Sequence, residues 1–284
     1  MEYLQKSLRL LFLTVALFSF SGLDLLAGGW VHEKGKGYFK LGQTYLRSDK
    51  FYEKGELVDI FTTGAYFTSL YGEYGISDRW TGIAYVPFFS RMTVNEVEFT
   101  SGRMQPGDSY NGFGDTDIGI KYGLRVGKPF VMSATLQLGL PLGRTDGGET
   151  GVLQTGDGEF NQLVRLEAGY APPKTPLYFN AGVGFNNRTN GFSEEFRYNF
   201  EAGFTKDKFL GALKMDGIKS FFNGDGGGGQ NGVFSNNLEF ISITPEVAYQ
   251  LKGKIGITAN VGVAVYGNRI LAAPNYGGGI YLKL

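Results

Sequence analysis

The sequence predicts an all-β protein, a single antiparallel transmembrane β-barrel of about 12 strands with short periplasmic turns and long extracellular loops. Three observations lead to this fold: apolar and polar residues alternate along most of the chain, connections alternate between short and long, and aromatic residues gather beside the short connections. The composition agrees. Aromatic residues make up 15% of the chain and 45 of 284 residues are glycine, while a mean hydropathy of −0.12 is too polar for a helical membrane protein.

The first segment has the features of a secretory signal peptide. Lys6 and Arg9 precede an apolar stretch at residues 10–20, and Ala27 supplies a small residue for cleavage before two glycines. The apolar stretch is shorter than the roughly 20 residues that a helix needs to span a bilayer. We therefore predict a signal peptide at residues 1–27 and a β-barrel at residues 28–284, located in the outer membrane of a Gram-negative bacterium.

Period-two alternation is clearest at residues 130–142. Leu136 and Leu138 fall on one face of this segment, and Thr135 and Gln137 fall on the other. This pattern predicts a strand with one face toward lipid and the other toward an interior. The same alternation is found at residues 116–125 and 255–266.

The connections between these segments alternate in length. Short ones lie at residues 75–79, 126–129, 171–176, 206–208 and 252–254. Long ones, rich in Gly, Asn and Asp, lie near residues 48–60, 88–113, 143–158, 186–195, 222–236 and 267–274. Five short and six long connections join about twelve strands, an even number that places both termini in the periplasm.

Aromatic side chains cluster at the ends of strands beside the short turns. Aromatic rings are favourable where acyl chains meet headgroups, so these residues predict an aromatic girdle at the periplasmic interface. The girdle residues are Tyr74, Trp80, Tyr122, Phe130, Tyr170, Phe204 and Phe209.

The last residues predict the closing strand of the barrel. Ile280, Leu282 and Leu284 alternate with other residues, which resembles the C-terminal signal that the outer-membrane insertion machinery reads. That signal usually ends in Phe, whereas this chain ends in Leu. A barrel must end in a strand that pairs with its first strand, because an unpaired edge cannot be left in lipid.

Several function classes are excluded by composition. Lys plus Arg and Asp plus Glu both number 27, so the chain lacks the positive charge of a nucleic-acid-binding protein. It has no cysteine and one histidine, His32, which precedes the first predicted strand. A Ser-His-Asp triad needs its histidine beside the nucleophile, and a transition-metal site needs His or Cys ligands. We expect no enzymatic activity, cofactor or metal.

Two outer loops contain groups that could be mistaken for binding sites. Asp146, Glu149, Asp157 and Glu159 have no calcium-loop spacing and are interpreted as solvated loop charge. The glycines at residues 224–229 lack the Lys-Ser/Thr pair of a phosphate loop and predict a flexible outer loop.

Polar residues on the interior face are the candidate functional residues. By alternation, the lumen-lining candidates are Lys40, Asp115, Asp117, Lys121, Arg125, Arg165, Glu167, Tyr178, Asn180, Arg197, Asn199, Glu201, Lys214, Glu246, Tyr249, Tyr266 and Tyr281. Charges inside a barrel must be paired or hydrated. They are compatible with a water-filled conduit and with a salt-bridge network that closes the lumen.

Charge pairing across the lumen is a further expectation. Asp115 and Asp117 share a predicted face with Lys121 and Arg125, and Arg165 and Glu167 lie on a neighbouring strand. Pairing of these groups would leave little net field, so a conduit would discriminate poorly between anions and cations.

Short motifs resemble a known family of barrels. The run at residues 112–119, continuing to Lys121 and Tyr122, is similar to the "GxGD" strand of the family known as the MetA-pathway of phenol degradation. Further similar motifs lie at residues 74–80, 86–88, 138–143, 180–184 and 265–269. The resemblance implies an outer-membrane barrel that takes up hydrophobic or aromatic compounds.

Two functions follow from these observations. The first is an outer-membrane channel for passive uptake of small, hydrophobic or aromatic molecules. The alternative is a structural or surface-interaction barrel with a closed lumen, whose long loops bind a partner or matrix polymer. The expected partners are outer-membrane lipid and lipopolysaccharide, the insertion machinery and a small-molecule cargo, and no nucleic acid.

Overall fold

The computed structural model describes residues 28–284 except 99, 103, 128 and 226–232. The predicted signal peptide at residues 1–27 lies outside the described residues. The described chain forms sixteen strands: β1 (Gly37–Glu53), β2 (Glu56–Gly75), β3 (Trp80–Val94), β4 (Val97–Glu98), β5 (Met104–Gln105), β6 (Asp108–Gly112), β7 (Thr116–Arg125), β8 (Phe130–Leu140), β9 (Asn161–Tyr170), β10 (Leu177–Asn187), β11 (Glu195–Lys206), β12 (Phe209–Ser220), β13 (Glu239–Lys252), β14 (Ile255–Asn268), β15 (Ile270–Leu271) and β16 (Asn275–Lys283).

Twelve of these strands form the wall of a closed antiparallel barrel. They are β1 to β3, β7 to β14 and β16. β1 closes the barrel by pairing with β2 on one side and with β16 on the other, from Tyr38 opposite Lys283 to Leu46 opposite Asn275. Closure gives both edge strands a partner. The predicted fold class is confirmed. Among the described residues, no helix is long and apolar enough to cross a membrane.

The two faces of the wall differ in exposure as the alternation predicts. On β8, Leu136 points outward and is 44% exposed, whereas its neighbour Thr135 points inward and is 5% exposed. β14 repeats the pattern, with Ile257 outward and Thr258 inward. β8 ends at Leu140 and not at residue 142, because Pro141 has no N–H to continue the ladder.

The short connections lie where they were predicted, but three long ones contain strands. Residues 267–274 contain the end of β14 and also β15, which pairs with β1. Residues 48–60 form the tip of the β1–β2 hairpin, turned by Lys54 and Gly55 with φ of 51° and 83°. Two consecutive positive φ values make a tight type I′ turn, so no long loop is needed. Residues 88–113 contain the end of β3 together with β4, β5 and β6, and β6 pairs with β3 above β7.

Most of the buried apolar side chains form two clusters inside the lumen. The periplasmic cluster consists of Trp30, Val131, Tyr178, Leu210, Ala248 and Tyr281. The extracellular cluster is centred on Ala65, Met92 and Leu153, with partly buried Leu46, Phe67, Val94 and Tyr110 packed around them.

Candidate functional site in the barrel lumen

An N-terminal segment, residues 28–36, enters the periplasmic end of the lumen. The Gly29 N–H donates to Oδ1 of Asn180 at 2.8 Å, and the His32 N–H donates to Oγ1 of Thr81 at 2.9 Å. The segment has no strand alternation, so its position was not predicted from sequence. The one sequence feature that could have indicated this position is Trp30, because a large apolar residue before the first strand favours burial against the rest of the protein.

Trp30 occupies the centre of the periplasmic cluster. Its side chain is 8% exposed, and its ring meets Tyr178 edge-on with the ring centroids 6.2 Å apart. A Cβ atom at Gly169 would lie 2.4 Å from the indole, so the wall needs a glycine at this point. The indole therefore fits a notch in the inner wall and fills the periplasmic mouth.

A buried ion pair between Lys121 and Glu73 also holds residues 28–36 in place. Nζ of Lys121 lies 3.4 Å from Oε2 of Glu73, and both side chains are 3% exposed. Lys121 also donates to the Trp30 carbonyl at 3.4 Å, and Nε2 of His32 lies 3.5 Å from Glu73. Because an unpaired buried charge is costly, these contacts connect the segment to both β2 and β7.

A cavity of about 330 Å³ lies between the two apolar clusters. Its floor includes Leu210 and Ala248 of the periplasmic cluster. Its upper wall includes Thr44 and Ser69. Leu46 and Phe67 of the extracellular cluster lie two residues away from them on the same strands. Its volume falls in the range of small-molecule sites.

Tyrosine rings and oppositely charged side chains line the cavity. The tyrosines are Tyr38, Tyr71, Tyr85 and Tyr178. The charged residues are Lys40, Glu73, Glu201, Lys214 and Glu246. Nζ of Lys214 lies 2.9 Å from Glu246, and the Tyr178 hydroxyl donates to Glu201. Because these charged groups have partners, the cavity has little net electric field, and the faces of its tyrosine rings are available to a bound molecule.

The loop at residues 143–158 covers the extracellular end. Its Leu153 is 4% exposed and packs in the extracellular cluster. The carboxylate of Asp115 accepts hydrogen bonds from the N–H groups of Gly143 at 2.9 Å and Asp157 at 2.8 Å. Asp108 accepts from the hydroxyl of Thr150 at 2.6 Å. These bonds hold the loop over the lumen.

A buried arginine connects this loop to the next one. Arg188 forms ion pairs with Asp157 at 3.0 Å, with Glu195 at 2.7 Å and with Glu159. Burial disfavours the cation, but the three carboxylates outweigh this effect and raise the pKa of the Arg188 guanidinium. The interpretation of Asp157 and Glu159 as solvated charge was therefore wrong, whereas Asp146 pairs with Arg144 on the surface.

Most of the lumen candidates lie on the inner face of the wall. These are Lys40, Asp117, Lys121, Arg165, Glu167, Tyr178, Asn180, Arg197, Asn199, Glu201, Lys214, Glu246 and Tyr281. Asp115 precedes β7 and holds the loop at residues 143–158.

Three lumen candidates point outward, and their prediction was wrong. Tyr249 pairs with outward Phe209 and Ile257 and is 45% exposed, because a residue three positions from inward Glu246 must face the other way. Register shifts move the other two. Arg125 follows a bulge in β7 and lies over the Phe130 ring at 5.3 Å, and Tyr266 follows a bulge in β14 and is 42% exposed.

The close ion pairs of the lumen join residues that lie near each other on the wall. Lys121 pairs with Glu73 and not with Asp115 or Asp117. Arg165 and Glu167 are neighbours on one strand, 3.9 Å apart. Lys121 and Arg125 therefore do not pair with Asp115 or Asp117, so this part of the expectation was wrong. Asp117 is instead attracted by Arg197 and Arg165.

The residues predicted as an aromatic girdle lie on the outer face beside the short turns. Their rings pair across strands, with centroids 4.6 Å apart for Trp80 and Tyr122 and 5.6 Å apart for Phe204 and Phe209. Tyr74 and Tyr170 are 44% and 43% exposed. Phe130 lies opposite Tyr170 in the ladder.

The sequence identifies the family to which the chain belongs. Residues 52–277 match the protein family described as "Putative MetA-pathway of phenol degradation". The chain belongs to this family. The resemblance of its short motifs is thereby confirmed. No curated protein matches the chain.

Solved structures support the fold of this MetA-pathway family member. The COG4313 outer membrane channel from Pseudomonas putida F1 is similar with a TM-score of 0.64 and 10% identity, over 89% of this chain and 97% of that one. The β domain of the Bordetella autotransporter BrkA is similar with a TM-score of 0.52 and 13% identity, over 88% and 100%. The translocator domain of NalP from Neisseria meningitidis has a TM-score of 0.50 and 10% identity, over 89% and 90%. The chain has the fold of outer-membrane β-barrels.

Proposed function

We propose that this barrel is a passive outer-membrane channel for small, neutral molecules with an apolar or aromatic part. The observation that carries the proposal is the tyrosine-lined cavity between the two apolar clusters of the lumen. The channel described for Pseudomonas putida F1, whose fold is similar, agrees with a channel role.

The chemistry of the cavity favours cargo with a ring and a polar group. Tyrosine presents a ring face for stacking and a hydroxyl for hydrogen bonding. Lys214 and Glu246 offset each other at 2.9 Å, so the wall offers polar contacts without a strong field. A charged solute gains less from such a lining than a neutral amphipathic one.

Passage along the barrel axis requires a segment to move at each end. Residues 28–36 fill the periplasmic mouth, and the loop at residues 143–158 covers the other end. Neither segment is itself a strand of the wall. Residues 28–36 are held by side chains of β3, β7 and β10 and by backbone hydrogen bonds to Gly75 of β2, and the loop at residues 143–158 is held by Asp108 and Asp115. We therefore infer that the structure represents an occluded state and that cargo moves down its own gradient.

The alternative function, a structural or surface-interaction barrel with a closed lumen, has a specific observation in its favour. The ion pairs of Arg188 join the two loops at residues 143–158 and 186–195 into a buried polar network. A network of this kind suits a fixed loop surface that binds a partner. The two functions differ in one measurable property, which is solute flux through the barrel.

Liposome swelling tests the proposal. Folded barrel is reconstituted into liposomes, and swelling is compared for an uncharged aromatic glycoside and a disaccharide of similar size. We expect faster entry of the aromatic solute. Tyr71→Ala, inside the cavity, should reduce that preference, whereas Tyr74→Ala, outward on the same strand, should not.

Two results would contradict the channel. One is the absence of flux for both solutes even after removal of residues 28–36, which would favour the closed barrel. The other is equal entry of the two solutes in the unmodified protein and in Tyr71→Ala, which would leave a channel without aromatic preference.

A further inference from the structure

The outer face carries a row of tyrosines that ends in an arginine. Tyr276, Tyr45, Tyr66 and Arg91 occupy directly paired positions on β16, β1, β2 and β3. The ring centroids are 6.4 Å apart for Tyr276 and Tyr45, and 4.8 Å apart for Tyr45 and Tyr66. Arg47 lies two positions above Tyr45 on the same outward face and is exposed.

This row lies at the height of the outer-leaflet boundary. Tyr74, beside a periplasmic turn, and Tyr66 are both on β2, eight residues apart. At about 3.3 Å per residue and a tilt of roughly 40°, eight residues give about 20 Å of height. The apolar band of such barrels is about 25 Å tall. The tyrosine row therefore lies near the upper border of that band, with Arg47 above it.

The two arginines at this border have no acidic partner. Nη1 of Arg91 donates to Oδ1 of Asn111 at 3.0 Å, and in the described part of the chain neither Arg47 nor Arg91 forms an ion pair. Lys50, higher on the same hairpin, is by contrast paired with Asp59. Two guanidinium groups without an ion pair on one outward surface are available to bind an anionic group through charge-assisted hydrogen bonds.

An apolar row lies four residues below the tyrosines, and Gln43 and Thr68 lie between the two rows. Ile280, Leu41 and Leu70 are paired across β16, β1 and β2, and they are 56%, 46% and 51% exposed. From the periplasm outward, one patch of wall thus presents aliphatic side chains, then a row of tyrosine rings that ends in Arg91, and then Arg47. The order matches acyl chains, a sugar headgroup and phosphate.

We propose that this patch binds a phosphorylated glycolipid of the outer leaflet, the lipid A part of lipopolysaccharide. Arg47 and Arg91 contact its phosphate, Tyr45 and Tyr66 stack on its sugars, and the acyl chains cover the aliphatic row. The arginines lie two strands and two residues apart, about 12 Å between Cα atoms by strand geometry, so both side chains reach a single headgroup.

Lipid binding to the folded barrel in detergent tests this site. Native mass spectrometry measures the apparent Kd for lipid A, for dephosphorylated lipid A and for phosphatidylethanolamine. We expect Arg47→Gln with Arg91→Gln to weaken lipid A binding about tenfold or more, because charge-assisted contacts to phosphate are lost. The matched control, Arg125→Gln with Lys252→Gln, removes the same charge at the periplasmic rim and should leave the Kd unchanged.

Three outcomes would overturn the proposal: unchanged binding in the Arg47 and Arg91 variant, an equal loss in the rim control, or equal binding of the dephosphorylated lipid. If the double variant does not fold, the single variants Arg47→Gln and Arg91→Gln should each show part of the loss, and no loss in either would also overturn it. Solute flux should not change in any of these variants, so the result is independent of the proposed channel.

Discussion

Replacement of Trp30 by alanine should undock the N-terminal segment and open the periplasmic mouth. The indole is 8% exposed, packs edge-on against Tyr178 and fills the notch at Gly169. Loss of a buried Trp side chain costs about 3–5 kcal/mol. The lost contacts join the segment to the wall, so the cost falls on docking and not on the twelve-stranded ladder. At about 1.4 kcal/mol per decade, docking weakens by a factor of roughly 10² to 4 × 10³.

A second substitution reaches the same site from the wall. In Gly169→Ala, the new Cβ would lie 2.4 Å from the Trp30 ring, which is closer than any real contact. The indole must leave the notch, although Trp30 itself is unchanged. Trp80→Ala is the matched control, because Trp80 lies on the outer face and is 44% exposed.

Planar-bilayer recording is the assay. Trp30→Ala and Gly169→Ala should both increase the open-channel conductance or the fraction of time that the channel conducts, and Trp80→Ala should change neither. Heat modifiability on a gel verifies that each variant is folded. Each lumen variant is also recorded with Asp108→Ala, which releases the loop at the other end. Conductance that still equals that of Asp108→Ala alone would refute the assignment of residues 28–36 as the periplasmic closure.

Three further substitutions test the wall and the outer loop. Leu136 lies on the lipid face between Ile120 and Val164, so Leu136→Arg should lower the free energy of unfolding in urea by about 2–4 kcal/mol. Gln137→Arg, which faces the lumen, should lower it much less, and equal losses would contradict the assignment of faces. Glu73→Gln leaves Lys121 buried without its partner and should cost about 3–5 kcal/mol, whereas Glu73→Gln with Lys121→Met should recover most of it; no recovery would mean that the pair is not coupled. Asp108→Ala removes the anchor of Thr150 and should speed protease cleavage within residues 143–158, and Asp146→Ala, at an exposed pair, serves as the control; equal rates would show that Asp108 does not hold the loop.

Local alternation predicted the wall because each barrel strand has one lipid face and one lumen face. It predicted β8 and β14 residue by residue until a bulge intervened. An extra residue in a bulge reverses the face of all that follows, and this is why Arg125 and Tyr266 were misplaced. A bulge depends on the partner strand, so one strand's own sequence does not reveal it.

The closures of the lumen could not be predicted because they depend on contacts far apart in sequence. Gly29 is held by Asn180, which lies 151 residues away, and Arg188 binds Asp157 and Glu159 of another loop. Composition indicated that interior charges would be paired. The choice of partner, such as Glu73 for Lys121, is set by which strands become neighbours after closure.

The strands that residues 28–36 contact determine when this segment can dock during assembly. The segment precedes β1, yet its partners are on β2, β3, β7, β9 and β10, so its binding surface exists only after most of the sheet has formed. Docking of the N-terminus must therefore be a late step that follows insertion. The chain has two tryptophans, and Trp80 at the lipid-facing rim enters its environment with the sheet. In Trp80→Phe, the fluorescence of Trp30 would report the last step of folding alone, after the nascent barrel has already sealed its wall.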